Sequence, residues 1–128
     1  MPVVGVGGYF FRARNPEALT AWYRDHLGVG AGCGTDERGE TNPYCWFHEG
    51  GPMVFSPFLE VSDYFPVEKQ AMINLRVQDL EGFTVQLKRS GIEVITKAEW
   101  DEIGAGSFAR IHDPEGNPVE LWEPPANA

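Results

Sequence analysis

Basic residues are scarce in this sequence: 10 lysines and arginines stand against 19 aspartates and glutamates, for a formal charge of −9 at pH 7. Binding to a nucleic-acid backbone or to an anionic membrane surface relies on clustered Lys and Arg, so this balance argues against both partners. Long hydrophobic runs are also lacking, and none approaches the roughly 18 to 20 apolar residues that a membrane span needs. We therefore expect a protein that binds neither nucleic acid nor membrane.

Cysteine is nearly absent, with only Cys33 and Cys45 in the chain. Their spacing does not match a metal site, and two thiols can form at most one disulfide. The first residues, MPVVG, include neither the basic segment nor the apolar stretch of a signal peptide. From these absences we expect a cytoplasmic protein with reduced thiols.

What the chain does contain is the composition of one folded domain. Its 128 residues are 42% hydrophobic and 12% aromatic, which is ordinary for a globular protein. A chain of this length can bury a single core. We therefore predict one domain over residues 1–128.

Two helices are predicted from capping residues and apolar spacing. The first begins after the cap Asn15 and ends at Gly28, and the second begins after Asp79 and ends at Gly91. Apolar side chains recur at helical spacing in both, at Leu19, Trp22, Tyr23 and Leu27 in the first and at Leu80, Phe83 and Leu87 in the second.

Short apolar runs between turn residues predict strands around these helices. They cover residues 3–13, 44–48, 53–58, 71–77, 92–96, 107–111 and 118–122. Residues 29–42 are rich in glycine and polar residues, which indicates a short strand and a loop. Residues 59–69 have no clear period and are expected to link two halves of the chain.

The two halves, residues 3–60 and 70–124, repeat one plan. Four residues of the first half recur 64 positions later as identical or similar types: Arg12, Asn15, Glu17 and Thr20 become Arg76, Asp79, Glu81 and Thr84. Strand, capped helix and three strands thus occur twice, which indicates a duplicated βαβββ unit. If one face of each sheet packs on its helix, the other faces can curve into a half-open barrel. The prediction is an α+β fold with a small-ligand cavity between the units.

Two segments then resemble the vicinal oxygen chelate superfamily, which includes glyoxalase I, bleomycin-resistance proteins and extradiol dioxygenases. Residues 15–28, NPEALTAWYRDHLG, resemble its opening helix, which ends in FYxxxLG. Residues 113–122, DPEGNPVELW, resemble its closing DPxGNxxEL hairpin. The resemblance covers nearly the whole chain and implies a glyoxalase-like fold. By analogy, and from the aromatic residues of the first half, it also implies a homodimer.

The resemblance also bears on a metal cofactor. Enzymes of this superfamily hold one divalent metal with a ligand from each of four strands, and the matching positions here are Gly8, Val54, Met72 and Glu120. Only Glu120 can coordinate a hard or borderline cation, since Met72 offers a soft thioether and the other two offer no donor. One carboxylate does not hold zinc, nickel or iron at useful affinity. The expectation is no cofactor, with a divalent metal at Glu120 as the alternative.

Alternation along the strands extends this placement to other side chains. If Met72 faces inward, every second residue on its strand does too, and the same rule applies to the strands that carry Gly8 and Glu120. The predicted substrate-binding wall consists of Phe10, Arg12, Gln70, Asn74, Arg76 and Trp122, beside Glu120.

Glu120 is the candidate catalytic residue. It could be a metal ligand, a general base whose pKa is raised by apolar neighbours, or a wall carboxylate paired with Arg12 or Arg76. Two main functions stay open at this point, beside the weaker possibility of a regulatory or interaction subunit whose cavity is vestigial. One is an enzyme that acts on a small organic molecule between the repeats, as a lyase, isomerase or dioxygenase. The other is a metal-free protein that binds or sequesters a small molecule, as bleomycin-resistance proteins do.

Overall fold

The fold is described here by a computed structural model, which defines residues 2, 5–30, 32, 38–39 and 45–126. Its elements in chain order are α1 (Pro16–Leu27), β1 (Ile73–Arg76), α2 (Leu80–Arg89), α3 (Ala98–Asp101), β2 (Ser107–His112) and β3 (Pro118–Glu123). β3 lies between the other two strands, parallel to β1 and antiparallel to β2. The predicted mixture of helices and strands is confirmed, and the sheet is open. In the described residues, no helix has the length and apolarity needed to cross a membrane.

Both long helices form where their caps were predicted. The Asn15 side chain accepts a hydrogen bond from the Ala18 backbone N–H at 3.1 Å, and the Asp79 side chain accepts one from the Gly82 N–H at 3.2 Å. These bonds satisfy backbone donors that the first turn of a helix leaves free. At the other end of α1, Gly28 adopts a φ of 72°, a left-handed conformation that glycine reaches without a steric penalty.

The core lies between one face of the sheet and the helices. Cross-strand rows set the pattern: Leu75, Leu121 and Ala109 share one row. All three are buried and pack with Leu80 and Leu87 of α2. The next row does the same with Ile73, Val119 and Ile111, and α1 adds the partly buried Trp22, Tyr23 and Leu27. The opposite face of the sheet is therefore left for other contacts.

The turn between β2 and β3 is organised by the buried Asp113. Its Oδ1 accepts hydrogen bonds from the backbone N–H groups of Glu115 and Asn117 at 2.9 and 3.0 Å. Its Oδ2 accepts one from Asn117 Nδ2 at 2.8 Å. Aspartate at the first position of a turn commonly bonds its own backbone in this way. The DPEGN segment thus fixes the hairpin, and with it the β2–β3 register.

The same turn holds the start of α1. Glu115 accepts hydrogen bonds from the backbone N–H groups of Arg14 and Asn15 at 2.6 and 2.9 Å, and these bonds lower the pKa of its carboxyl. Further along α1, the Tyr23 hydroxyl donates to Asp113 Oδ2 at 2.8 Å. The closing hairpin and the opening helix, which carry the two recognised sequence segments, are therefore in direct contact.

In the second half the structure follows the prediction with two differences. The strand predicted at 92–96 is reduced to one bridge between Ile95 and Arg110. The short helix α3 was not predicted at all, because four residues are too few for a periodic signal. It places Trp100, which is buried, beside the sheet. The strands predicted at 71–77, 107–111 and 118–122 form with slightly shifted ends.

In the first half the predicted strands are not formed. Residues 5–13 and 47–59 belong to neither helix nor strand, and Trp46 makes only an isolated bridge with Gly32. Extended chain becomes a strand only when a neighbouring strand accepts its hydrogen bonds, and the described residues offer these segments no such neighbour. The duplicated half-barrel is thus not confirmed. The strand and loop predicted at 29–42 fall largely outside the described residues.

The expectation of reduced thiols was wrong. Cys45 is disulfide-bonded in the structure. The other cysteine of the chain, Cys33, lies outside the described residues. Absence of a recognisable leader is a weak guide to thiol state, because the bond also depends on how close the two cysteines come in the fold.

Candidate ligand-binding site

Polar side chains form a row across the sheet face that is turned away from α2. Glu120 of β3 lies between Asn74 of β1 and Arg110 of β2 in the strand register. The Asn74 amide donates a hydrogen bond to Glu120 Oε1 at 2.9 Å, and an Arg110 terminal nitrogen lies 3.9 Å from Oε2. The Glu120 side chain is only 9% exposed. A buried carboxylate needs such partners, because unpaired burial of its charge is costly.

Tyr64 completes the bonding of this carboxylate. Its hydroxyl donates to Glu120 Oε2 at 2.5 Å, a short distance typical of an O–H bond to an ionised acceptor. Burial raises the pKa of Tyr64 to about 12, and the hydrogen bond to Glu120 adds to the effect. Both physical causes favour the protonated phenol. Tyr64 therefore serves as a donor to Glu120 over the whole neutral range.

Arg110 is held between two aromatic rings. Its guanidinium carbon lies 5.1 Å from the centre of the Tyr64 ring and 5.2 Å from that of Trp100. A terminal nitrogen also donates to the Tyr64 backbone carbonyl at 3.1 Å. The side chain is 6% exposed, and its Nε has no hydrogen-bond partner among the described residues. An unpaired buried donor is uncommon. The polar row thus contains one N–H group without a hydrogen-bond acceptor among these residues.

The pKa of Tyr64 leads to a prediction about pH. Its pKa is raised in the folded state above its ordinary value near 10, so its contribution to stability is complete below pH 10. That contribution is lost as pH rises from about 10 through about 12. We expect Tyr64→Phe to lower the free energy of unfolding at pH 8 and to lower it less at pH 11. Urea denaturation of both proteins at the two pH values measures this, and an equal difference at both would contradict it.

Three of the predicted wall residues share the face of Glu120. Asn74 is its direct neighbour, and Arg76 and Trp122 occupy the next cross-strand row with Phe108. Trp122 stacks on Phe108, with the ring centres 6.3 Å apart, and donates its indole N–H to the Ala105 carbonyl at 2.7 Å. Arg76 donates to the Glu49 carbonyl at 2.6 Å. These bonds hold Trp122 and Arg76 at one end of the polar row.

The remaining predicted residues do not join this group in the single chain. Phe10, Arg12 and Gln70 are exposed, on segments without regular structure. Neither Arg12 nor Arg76 pairs with Glu120 in the described residues; that position is taken by Arg110 and Tyr64. The carboxylate is therefore a bonded wall residue with partners other than those expected.

Two residues of the site were missed from the sequence, Trp100 and Arg110, while Tyr64 was expected only as one of several aromatic residues that could cradle a flat ligand, form core or form a dimer surface. Arg110 had a usable signal. A hairpin closed by the turn at 113–117 places residue 110 opposite residue 120, and opposite charges in a cross-strand pair attract. Trp100 lies in a segment whose sequence shows no period, so nothing in the pattern pointed to it.

The donor set does not fit the superfamily's metal. Glu120 already accepts hydrogen bonds on both oxygens, and its neighbours in the row are an amide, a guanidinium and a phenol. A guanidinium has no lone pair to give and repels a cation. In the described residues no three His, Cys, Asp or Glu side chains come together as a metal would require. We therefore derive no chemical step through a metal here.

Tyr64 covers Glu120 in the polar row, and Tyr64 and Trp100 cover Arg110, whereas Asn74 is exposed. Two concavities of the described residues lie along α2 instead. One is lined in part by Arg76 and Phe83, and the other by Thr84 and Glu123; Glu120 lines neither. A ligand on the Glu120 face would therefore need a second wall from elsewhere.

Comparison with known proteins identifies related sequences and folds. The sequence profile of the Glyoxalase/Bleomycin resistance protein/Dioxygenase superfamily matches residues 5–121. No curated protein matches significantly. Among solved structures, the chain is similar to TnmS3, an antibiotic binding protein from Streptomyces sp. CB03234. The TM-score is 0.56 at 16% sequence identity, over 98% of this chain and 99% of the other. This likeness concerns the fold alone.

Proposed function

Because the chain belongs to the Glyoxalase/Bleomycin resistance protein/Dioxygenase superfamily, we propose that it binds a small organic molecule on the Glu120 face without a metal. The observation that carries the proposal is the hydrogen-bonded row of Asn74, Glu120 and Arg110. Glutamate and arginine are rarely buried, and here the two are buried side by side on the sheet face turned away from α2. TnmS3, which shares the fold, is an antibiotic binding protein, and this supports binding rather than turnover.

The bonding of Glu120 suits it to orient a ligand. Tyr64 and Asn74 each donate one hydrogen bond to it and fix its position, and a carboxylate oxygen can accept a second bond. The carboxylate can therefore accept a hydrogen bond from a ligand that carries a hydroxyl or an amine, whereas the donors around it do not suit a metal. The lyase, isomerase and dioxygenase activities of the superfamily are therefore the weaker hypothesis.

The internal repeat suggests the chemistry of the second wall. At equivalent positions of the first half, Asn74, Arg110 and Glu120 are replaced by Phe10, Trp46 and Val54. All three are exposed in the single chain. If the duplicated units face each other as a half-open barrel, one wall is polar and the opposite wall is aromatic and aliphatic. Such a cavity fits a flat, largely apolar molecule with one polar edge.

The surface of the chain supports a second copy as the source of this wall. Its accessible area is 9905 Å², whereas a compact monomer of its 14.2 kDa exposes about 6,800 Å². Thirteen of the fifteen exposed large hydrophobic residues in the described part of the chain precede residue 70. The excess of roughly 3,000 Å² per chain, or about 6,000 Å² for two chains, is as large as the largest obligate dimer interfaces, which bury about 2,000 to 5,000 Å² or more in total. We therefore propose a homodimer in which the first half of one chain covers the Glu120 face of its partner.

The proposed function predicts ligand binding that is independent of metal. Flat aromatic molecules with one polar edge should bind with micromolar or tighter affinity, and EDTA treatment should leave the dissociation constant unchanged. Glu120→Leu should weaken binding by about ten- to a hundredfold, because a charge-assisted hydrogen bond to a ligand contributes about 1.5 to 3 kcal/mol. Calorimetric titration before and after chelation, with metal analysis of the same sample, is the measurement.

The matched control is Glu123→Leu, which removes a carboxylate of the same strand outside the polar row. Its affinity for the ligand should equal that of the wild type. Near-stoichiometric metal whose removal abolishes binding would overturn the metal-free proposal. A screen in which no such aromatic molecule binds would overturn the ligand-binding proposal itself.

A further inference from the structure

We propose that Tyr64 is an internal ligand of the Glu120 site, and that the site takes planar aromatic molecules whose hydroxyl replaces the Tyr64 hydroxyl at Glu120. This inference rests on the proposed function and names the class of ligand. It also assigns to Tyr64 a role in specificity that its place in the chain does not suggest. The residue lies between the two repeats, outside every helix and strand of the described structure.

The first step in the argument is the position of the phenol. The Asn74 amide, which belongs to the sheet, donates to one oxygen of Glu120. The other oxygen has the Arg110 guanidinium 3.9 Å away, beyond hydrogen-bond distance, and its hydrogen bond comes from Tyr64, which belongs to a segment of turns and bends. The strands therefore leave this oxygen able to accept a hydrogen bond from a hydroxyl group outside the sheet. A hydroxylated ligand offers the same donor as Tyr64.

The second step in the argument concerns the groups that surround the Tyr64 ring. The ring lies against the Arg110 guanidinium, which also contacts Trp100. The ring is 5.6 Å from Phe58 and 6.1 Å from Trp100, measured between centres. Guanidinium and aromatic groups stack on any flat aromatic ring, whatever its source. The groups that contact the Tyr64 ring are therefore suited to bind an aromatic ligand as well.

The third step is that Tyr64 can leave. Residues 59–66 contain neither helix nor strand. Arg110 holds the Tyr64 backbone through the bond to its carbonyl, so the exchange requires only the Tyr64 side chain to turn away. Phe58 beside it is exposed. The site also keeps one unmet donor, Arg110 Nε, while Tyr64 is in place. Displacing Tyr64 thus breaks one side-chain bond to Glu120 that the incoming hydroxyl restores, so the exchange is close to balanced in hydrogen bonds.

The test compares two probes of the same shape, 2-naphthol and 2-methylnaphthalene, which differ in the hydroxyl. Dissociation constants are measured by equilibrium dialysis for the wild type, Tyr64→Phe and Tyr64→Ala. For 2-naphthol we expect affinity to rise in that order, with about a tenfold gain in Tyr64→Ala. Tyr64→Phe removes only the competing hydroxyl, so its gain should be confined to 2-naphthol. Circular dichroism and thermal melting confirm that each variant is folded.

Tyr23→Phe is the matched control, because the Tyr23 hydroxyl also donates to a buried carboxylate, that of Asp113, but away from the site. It should bind both probes as the wild type does. Equal gains for the two probes in the Tyr64 variants would mean that the ligands merely fill a void, and would overturn the inference while leaving the proposed function in place. If neither probe binds any of the proteins, the proposed function fails together with it.

Discussion

Asp113→Ala is expected to lower the free energy of unfolding by about 3 to 4 kcal/mol, a large effect for a substitution outside the apolar core. The Asp113 carboxylate accepts four hydrogen bonds, three from within the turn at 113–117 and one from Tyr23. Hydrogen bonds to an ionised group contribute more than neutral ones, and the donors left behind would be partly buried without partners. The substitution would therefore weaken both the turn between β2 and β3 and the contact of that turn with α1.

Urea denaturation at fixed protein concentration measures this effect, since a dimer's stability depends on concentration. Tyr23→Phe is the companion variant. It removes one of the four bonds and keeps the turn intact, so its expected loss is about 1 kcal/mol. If Asp113→Ala loses no more than Tyr23→Phe, the turn bonds contribute nothing measurable, and the hairpin register must be set by the strands alone.

The two long helices and the closing hairpin could be predicted from the sequence because their signals are local. Asn15 and Asp79 cap helices through their own first turns, and the DPEGN segment closes its hairpin through bonds within five residues. Each of these patterns has a short-range physical cause that acts wherever the segment lies in the fold. α3 shows the limit of this approach, since one helical turn has no period to detect.

The strands of the first half could not be predicted in the same way because strand formation is not local. Residues 5–13 and 53–58 carry the composition of strands, but a strand exists only beside another one. In the single chain these segments are without a partner strand among the described residues. Their apolar side chains are accordingly exposed. The sequence pattern shows that these segments can form strands, and the presence of a pairing strand determines whether they do.

The residues of the candidate site likewise divide into those that local patterns predict and those that they do not. Alternation on β1 and β3 placed Asn74, Arg76 and Trp122 on the face of Glu120, as the register has them. The same rule was not extended to β2, where it would have added Arg110. Tyr64 lay beyond such reasoning, because a residue in a segment of turns reaches the site through the path of the chain and not through any period.

The proposed dimer leads to the prediction with the largest effect on assembly. Wild-type protein at about 20 µM should have twice the 14.2 kDa mass of the chain in light scattering. Phe10→Asp should weaken the dimer at least a hundredfold. Phe10 is 95% exposed in the single chain, and burying a phenyl group contributes about 1.5 to 3 kcal/mol. An aspartate at that position must also lose water without a partner, and a two-fold axis applies both effects twice.

Ile103→Asp is the control that separates this effect from a general response to added charge. Ile103 is 76% exposed, but it belongs to the second half, which already has its strands. Its substitution should leave the dimer intact, whereas Phe10→Asp should yield monomers. Since Phe10 is the repeat counterpart of Asn74, the same variant should also lose ligand affinity in proportion to the monomer fraction. A wild-type monomer at this concentration would remove the second copy as the source of the wall, and the apolar side would then have to come from the first half of the same chain.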